Sequence, residues 1–253
     1  MTSIPAPLEF REHKAIWLVG GGHLVSHFYQ IVLPPLFGAI IATMEVSYAQ
    51  LGLVLSTYFV ATAVTQIPIG MMVDRIGGKP VLVAGLLLHG AAVVLAGAVA
   101  SYWVLLAAFF LGGVANSVFH PANFTILSCN VRQVFQGRAF AVHTFTGSVG
   151  YAMAPTVMRG LESLFDWQLA LISVGAVGVI MALLIQVFGG DLRESEALRR
   201  KEGEESDKSA EKRADWRIML TRPMILFFLF YVCTSASGAG MTGFSVVALP
   251  EIY

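Results

Sequence analysis

Charge is scarce in this sequence. Lys, Arg, Asp and Glu make up 13% of its 253 residues, whereas a soluble domain carries about 25%. Between Glu45 and Arg132 the only charged residues are Asp74, Arg75 and Lys79. Hydrophobic residues make up 56% of the chain, and its mean hydropathy is +0.72. These values exclude an ordinary soluble domain and indicate a polytopic membrane protein.

Cysteines and catalytic patterns are also scarce. The two cysteines, Cys129 and Cys233, lie far apart in sequence, which favours small packing residues over a disulfide. We find no nucleophile–base pair, no metal-ligand cluster and no phosphate-binding glycine loop after a strand. The sequence therefore predicts neither an enzyme nor a bound cofactor or metal. The expected partners are a small-molecule substrate and membrane lipid, with no nucleic acid.

Long apolar runs, in contrast, recur along the chain. A bilayer-spanning helix needs about 20 mostly apolar residues. Runs of this kind predict six spans near 15–42, 47–73, 80–99, 102–128, 138–158 and 166–188, and a seventh near 223–249 after a polar gap. The predicted fold is an all-α integral membrane protein with a six-helix bundle followed by a seventh transmembrane helix.

Basic residues between the spans predict the orientation. Fifteen Lys and Arg residues fall on one side of the predicted spans, and Arg159 stands alone on the other. Because Lys and Arg concentrate in cytoplasmic loops, we expect the N-terminus to face the cytoplasm. The segments 74–80, 129–138 and 189–222 are expected on the same side.

The same pattern suggests four parts. These are a cytoplasmic tail (1–14), the six-helix bundle (15–188), a charged cytoplasmic linker (189–222) and the seventh helix (223–253), which would start a second half. Since the chain stops soon after the seventh run with no polar tail, we expect a truncated protein. Its missing partner would be a C-terminal half or a second chain.

Polar side chains form stripes inside several predicted spans. Residues four apart share a helix face, and polar groups within a bilayer usually face a cavity or each other. The stripes predict a water-filled cavity lined by His23, His27 and Gln30 (span one), Gln66 (span two), Asn116, His120 and Asn123 (span four), and His143 and Tyr151 (span five). The competing interpretation is that these groups hold helices together. For His89 on span three we favour such a packing role.

The chemistry of the stripes remains open at this point. Histidine titrates near pH 6.5 when unperturbed, so any of these imidazoles can carry a proton. Two histidines can equally bind an anionic substrate. With the boundaries above, we expect no buried Asp or Glu in the six spans.

The segment GMMVDRIGGKP (70–80) is interpreted as a short polar loop between spans two and three. Its spacing resembles the G-x-x-x-D-R-x-G-R-K loop of the major facilitator superfamily of secondary transporters. The matching residues are Gly70, Asp74, Arg75, Gly77 and Lys79, while Gly78 replaces a basic residue.

That resemblance implies two six-helix halves built from inverted three-helix repeats, with alternating access to a site near the bilayer midplane. It also implies that Asp74 and Arg75 latch the cytoplasmic side against the second half. Gly70, Gly77 and Lys79 would belong to the same conformational latch.

Two further segments, HLVSHFYQIVLPPLFGAI and VFHPAN, are similar to the fosmidomycin-resistance group of bacterial efflux proteins. The likeness implies proton-coupled efflux of a small organic solute across the bacterial inner membrane. Family members often use a buried carboxylate for proton coupling, so His27 or His120 would have to take that role here. The alternatives are uptake of a small carboxylate by the same fold, or a half-size membrane protein that needs a partner chain.

Overall fold

The computed structural model describes residues 7–192, 220–230 and 233–234. The chain divides into two units, Met1–Arg199 and Arg200–Tyr253. In the second unit, residues 222–230 and 233–234 are helical. Most of the predicted linker (189–222) and part of the predicted seventh span lie outside the described residues.

The first unit consists of helices, and no strand occurs among the residues described. Its α-helices are α1 (Phe10–Gln30), α2 (Phe37–Met44), α3 (Tyr48–Ile76), α4 (Gly78–Ala98), α5 (Tyr102–Asn116), α6 (Phe119–Asn130), α7 (Gln133–Leu164) and α8 (Trp167–Phe188). Five helical segments are long and apolar enough to cross a membrane: Phe10–Met44, Tyr48–Ile76, Gly78–Ala98, Tyr102–Asn130 and Trp167–Phe188. The sequence prediction of an all-α membrane protein is confirmed.

Helix α7 is the long helix missing from that set of five. It extends over 32 residues, but polar side chains such as His143, Thr146 and Tyr151 lower its hydropathy. It packs along α1, with which it forms one of the most extensive helix pairs of the unit. The polarity of α7 therefore reflects the side chains that it presents within the bundle.

Two of the predicted spans are interrupted helices. The first breaks after Gln30, and a 3₁₀ turn at Pro34–Leu36 leads into α2. Proline lacks an N–H group and cannot continue the hydrogen-bond ladder of a helix. The fourth span breaks between Asn116 and Phe119, and Pro121 lies in the first turn of α6, where proline is tolerated.

Close helix contacts depend on glycines. A methyl group built on Gly150 of α7 would lie 2.3 Å from the Leu24 carbonyl oxygen of α1, and one on Gly90 of α4 would lie 2.7 Å from the Gly175 oxygen of α8. Small residues of this kind allow membrane helices to approach closely. The Tyr29 hydroxyl adds a polar link between α1 and α8, since it donates to the Val174 carbonyl oxygen at 2.6 Å.

Large apolar side chains cover much of the outside of the helices. Trp17 is 64% exposed, Val64 69%, Ile67 64% and Trp103 73%. These exposures suit contact with lipid tails rather than with water. Together with the five apolar segments, they support a membrane location.

Two helix boundaries differ from the prediction. Helix α1 begins at Phe10, within the predicted tail, because the Glu9 amide donates to Glu12 Oε2 at 2.8 Å and closes the first turn. Helix α7 runs from Gln133 to Leu164, whereas the predicted fifth span covered 138–158. In both cases polar residues continue the helix beyond its apolar stretch.

The prediction of a loop at 70–80 is wrong, because most of this segment is helical. Helix α3 continues to Ile76 and α4 starts at Gly78, so Gly77 is the only residue between the two helices. Gly77 has a φ of 94°, a conformation that glycine adopts without a steric penalty. The matched residues are therefore the two helix ends that meet at Gly77.

Candidate functional site

Four histidines from three helices form one cluster. The ring centroids of His23 and His143 are 3.6 Å apart, with the planes stacked at 14°. The ring of His27 lies 4.2 Å from that of His23. His120 completes the group at 5.4 Å from His23 and 6.2 Å from His143. We call His23, His27, His120 and His143 the histidine cluster.

Local geometry explains how these side chains come together. His23 and His27 are one turn apart on α1, so they share a face. Gly147 of α7 leaves space for both rings, because a methyl group there would lie 2.9 Å from His23 Nε2 and 3.0 Å from His27 Cε1. His120 is delivered by α6, which starts at Phe119 just after the break in the fourth span.

Asn123 of α6 contacts one member of the histidine cluster, His143. Its Nδ2 atom lies 3.2 Å from His143 Nε2, and its side chain is completely buried. Asn123 Oδ1 and His27 Nδ1 are both buried without a hydrogen-bond partner. Unpartnered polar atoms inside a protein are costly and often mark a site that a ligand or water completes.

A chain of amides and hydroxyls continues from the cluster. The ring of Tyr151 lies 4.4 Å from that of His27, and the Tyr151 hydroxyl donates to Gln30 Oε1. Gln30 Nε2 is 3.4 Å from Asn116 Oδ1, and Asn116 Nδ2 is 3.4 Å from Thr62 Oγ1. This polar chain extends the site from α7 through α1 and α5 to α3.

The structure thus brings together eight of the nine residues that were predicted to line a cavity. The ninth, Gln66 of α3, is half-buried and lies outside these contacts. Thr62 was not predicted, although it lies one turn before Gln66 and on the same face of α3. The role of these residues in transport stays a prediction.

Exposure differs within the histidine cluster. His23 and His143 are 2% and 4% exposed, whereas His120 is exposed at the surface of this unit. The cluster is therefore open on one side, at His120, and closed on the side where α1 meets α7.

His89 lies apart from the cluster. Its ring centroid is 4.7 Å from that of Tyr29 and 5.8 Å from that of Tyr58, and its Nε2 atom is 3.4 Å from the Tyr58 hydroxyl. It is 1% exposed. These contacts between α1, α3 and α4 fit the packing role expected for His89.

The residues of the predicted latch occupy different environments. Gly70 is half-buried in α3, and Asp74 and Arg75 are exposed in the last turn of that helix. Lys79, in contrast, is 9% exposed. A methyl group on Gly78 would lie 3.0 Å from the Ala122 carbonyl oxygen of α6, so close packing accounts for glycine where the family pattern has a basic residue.

One buried carboxylate was missed. Glu12 is 4% exposed, and its carboxylate accepts hydrogen bonds from the Arg132 amide and Nε, both at 2.9 Å, and from Nη2 at 2.8 Å. The expectation of no buried Asp or Glu in the first six spans was wrong, because the first helix starts at Phe10 and includes the buried Glu12. Helical spacing could have indicated that Glu12 belongs to the first helix, because Glu12 precedes His23 by three turns and lies on the same face.

Further polar contacts surround the start of α1. Lys14 forms an ion pair with Asp191, and this hydrogen bond lowers the pKa of the Asp191 carboxyl. The Glu12 carboxylate raises the pKa of Arg132. Beside this pair lies a cavity of about 680 Å³ lined by Glu9, Arg11, Glu12, Ser128, Cys129, Asn130, Val131, Arg132, Gln133 and Gln136.

The cluster lacks the geometry of a metal site. Across residues 7–192, 220–230 and 233–234, no group of three or more His, Cys, Asp or Glu side chains is arranged to hold a metal ion. Imidazoles exchange protons and form hydrogen bonds at physiological pH.

Comparison with known proteins assigns the family. The model described as "Major Facilitator Superfamily" matches residues 19–251, which is most of the chain. This chain belongs to the Major Facilitator Superfamily. Its members are transporters, so the family supports the expectation that the protein is not an enzyme.

Curated relatives of this superfamily protein are transporters. It is 30% identical over 177 residues to the inner membrane transport protein YajR of Escherichia coli K12, covering 66% of this chain and 38% of YajR. It is 27% identical over 195 residues to the probable sulfoacetate transporter SauU of Cupriavidus necator, covering 74% and 45%. It is 27% identical over 161 residues to the multidrug resistance protein MdtL of Salmonella heidelberg, covering 64% and 40%.

Comparison with solved structures also finds the superfamily fold. A bacterial homologue of the human lysosomal transporter Spinster, solved inward-facing and unoccupied, superimposes with a TM-score of 0.75 at 17% identity. The match covers 95% of this chain and 56% of the homologue. The chain spans less than half the length of the three curated relatives.

Proposed function

We propose that this chain is the first half, with the start of the second, of a secondary active transporter for a small organic solute. It would work by alternating access in the bacterial inner membrane, with its N-terminus in the cytoplasm. The single observation that carries the proposal is the histidine cluster, a polar site between α1, α6 and α7 in a chain of a transporter family.

Protons are the proposed coupling ions. Of all side chains, unperturbed histidine is the one that changes charge between pH 5 and 8. The cluster contains four, and the one buried carboxylate of α1, Glu12, is engaged by Arg132 about three turns away. His27 or His120 would therefore take the part that a carboxylate plays in other members of the superfamily.

Export is the direction we propose first, since one relative carries the name multidrug resistance protein. Uptake of a small carboxylate is the second candidate. It is favoured by the cluster itself, which offers imidazoles and amides, and by a relative named for sulfoacetate.

Alternating access needs a second bundle. We propose that the partner is a C-terminal half in the same polypeptide or, if the gene product is short, a second chain. Asp74 and Arg75, exposed at the end of α3, would latch the cytoplasmic side against it. An acidic side chain such as Asp74 suits the N-terminus of a helix in the partner.

Transport by the full-length gene product tests this function. Inverted membrane vesicles would be energised to an acidic interior and supplied with a panel of labelled solutes, among them ethidium and sulfoacetate. We expect proton-driven movement of at least one solute. His27→Gln should abolish the proton drive, and His13→Gln is the matched control because His13 is exposed and lies three turns from the cluster.

Two outcomes would contradict the proposal. One is solute movement that ignores the pH gradient, which would remove proton coupling. The other is unchanged proton-driven transport in both His27→Gln and His120→Gln proteins, which would move the site away from the histidine cluster.

A further inference from the structure

The histidine cluster is rich in groups that carry a positive charge or donate hydrogen bonds, and it has no acidic member. Its four imidazoles are joined by the amide of Asn123 and by the polar chain that starts at Tyr151. The charged groups on the same helices are engaged elsewhere. Glu12 pairs with Arg132, and the Arg138 guanidinium lies 5.5 Å from the ring of Phe135.

Protons on this cluster would repel each other. The stacked rings of His23 and His143 are 3.6 Å apart, and those of His27 and His120 are 6.3 Å apart. A further titratable side chain that faces these rings is Tyr151, whose ring centroid lies 4.4 Å from that of His27 and whose hydroxyl donates to Gln30 Oε1. Like charges at such distances in a partly dry site oppose each other strongly. Without a counter-charge, the cluster therefore resists a second proton.

Asn123 is suited to a site whose proton content changes. As placed, its Nδ2 donates to His143 Nε2, which requires that nitrogen to be unprotonated. Its buried Oδ1 has no partner. Rotation of the amide by half a turn would offer Oδ1 to a protonated Nε2 instead. The same side chain thus serves both charge states of His143.

The cluster also has an exposed member and unused hydrogen-bonding capacity. His120 is exposed at the surface of this unit, which is the side from which a solute would approach the cluster. His27 Nδ1 is buried without a partner, next to the Tyr151 ring. A ligand that accepts hydrogen bonds would satisfy these groups, and a negatively charged one would also relieve the repulsion between protonated imidazoles.

We infer that the histidine cluster binds a small organic anion, a carboxylate or a sulfonate, together with a proton. The inference rests on the proposed function and names the substrate class of the same site. Anion binding favours protonation, and by thermodynamic reciprocity protonation favours the anion to the same extent. Anion and proton would then bind together at His23, His27, His120 and His143, so a proton gradient would drive both in the same direction, which agrees with the second candidate, uptake, rather than with export.

Calorimetric titration of the detergent-solubilised, full-length gene product tests this linkage. The probes are sulfoacetate and L-galactonate, with L-galactose as the neutral counterpart of L-galactonate, at pH 5.5, 6.5 and 7.5. We expect at least one anion to bind about tenfold more tightly for each unit fall in pH, the slope for one linked proton. L-galactose should not bind. Binding heats in buffers of different ionisation enthalpy should show uptake of about one proton per anion.

Variants locate the effect. His143→Gln should weaken anion binding about tenfold or more and flatten its pH dependence, whereas His13→Gln should leave both unchanged. Asn123→Asp should also abolish anion binding, because its carboxylate would occupy the place of the anion's charge. Retained folding of each variant is checked by its thermal unfolding midpoint.

Three results would overturn the inference. They are failure of both anions to bind, anion binding that does not depend on pH, and equal binding of L-galactose and L-galactonate. If proton-driven transport of a cation such as ethidium is lost in His27→Gln, the proposed function stands and the anion assignment falls. If the histidine substitutions leave transport unchanged, the proposed function falls as well.

Discussion

Glu12→Gln is the substitution that tests the packing of the bundle most directly. The Glu12 carboxylate accepts three hydrogen bonds from Arg132, at 2.8–2.9 Å, and one from the Glu9 amide at 2.8 Å. These bonds join the first turn of α1 to the turn between α6 and α7. Glutamine keeps the size of the side chain, removes its charge and replaces one accepting oxygen with an NH2 donor, so the substitution breaks the ion pair together with the hydrogen bonds to that oxygen.

The expected cost follows from burial. Breaking a fully buried ion pair costs about 3–5 kcal/mol, while an exposed pair contributes roughly 0–1 kcal/mol. The Glu12 side chain is 5% exposed and that of Arg132 is 38% exposed. Because water can solvate the freed guanidinium, we expect a loss of about 2 kcal/mol in the free energy of unfolding.

The matched control is Glu162→Gln. Glu162 pairs with Arg159 at 2.9 Å, but the Arg159 side chain is 60% exposed and the two residues are three apart on one helix. Such a pair contributes about 0.3 kcal/mol. Both variants of the full-length gene product would be unfolded by heat in detergent at pH 7.5, where free carboxyls are ionised. Equal midpoints for the two variants would refute the reasoning.

Three further predictions concern the site and its surroundings. Gly147→Ala should reduce proton-driven transport at least tenfold in vesicles with normal expression, because the added methyl group lies 2.9 Å from His23 Nε2; unchanged transport would argue against a role for the ring positions. Asp74→Asn should lower transport and leave expression intact if the end of α3 is a latch, and full activity would remove that role. Asp191→Asn should destabilise the protein by no more than about 0.5 kcal/mol, since Asp191 is half exposed. The pKa of Asp191 is lowered by Lys14, so this stabilisation exists at neutral pH and disappears as the pH falls through that pKa; an effect equally large at pH 3 would contradict it.

Much of the fold was predictable because long hydrophobic runs and prolines determine the structure of the segments that contain them. The apolar stretches predicted the spans, and the interruption of the first one lies at a proline that is visible in the sequence, Pro34. Helix ends were less accessible, since they depend on side-chain capping. Glu12 extends α1 backward to Phe10, and Gly77 reduces an expected loop to one residue.

The residues of the candidate site were predictable from the sequence, but the contacts between them were not. Helical spacing placed His23 with His27, and the polar stripes predicted that spans one, four and five share a cavity, but the sequence did not show which of the rings are in contact. The contact depends on Gly147 and Gly150, which allow α7 to approach α1. Glu12 escaped prediction because its partner, Arg132, is 120 residues away. Long-range pairing of this kind follows from the tertiary packing.

Protection of His120 by bound solute would show whether the histidine cluster is the transport site. The full-length gene product would be treated with diethylpyrocarbonate, which modifies accessible imidazoles, with and without a solute that it transports. Peptide mass spectrometry then measures modification at His120, and His13 serves as an internal control because both residues are exposed. We expect bound solute to lower the modification of His120 several-fold and to leave that of His13 unchanged. Equal modification of His120 with and without a saturating transported solute would contradict the claim that the histidine cluster is the transport site.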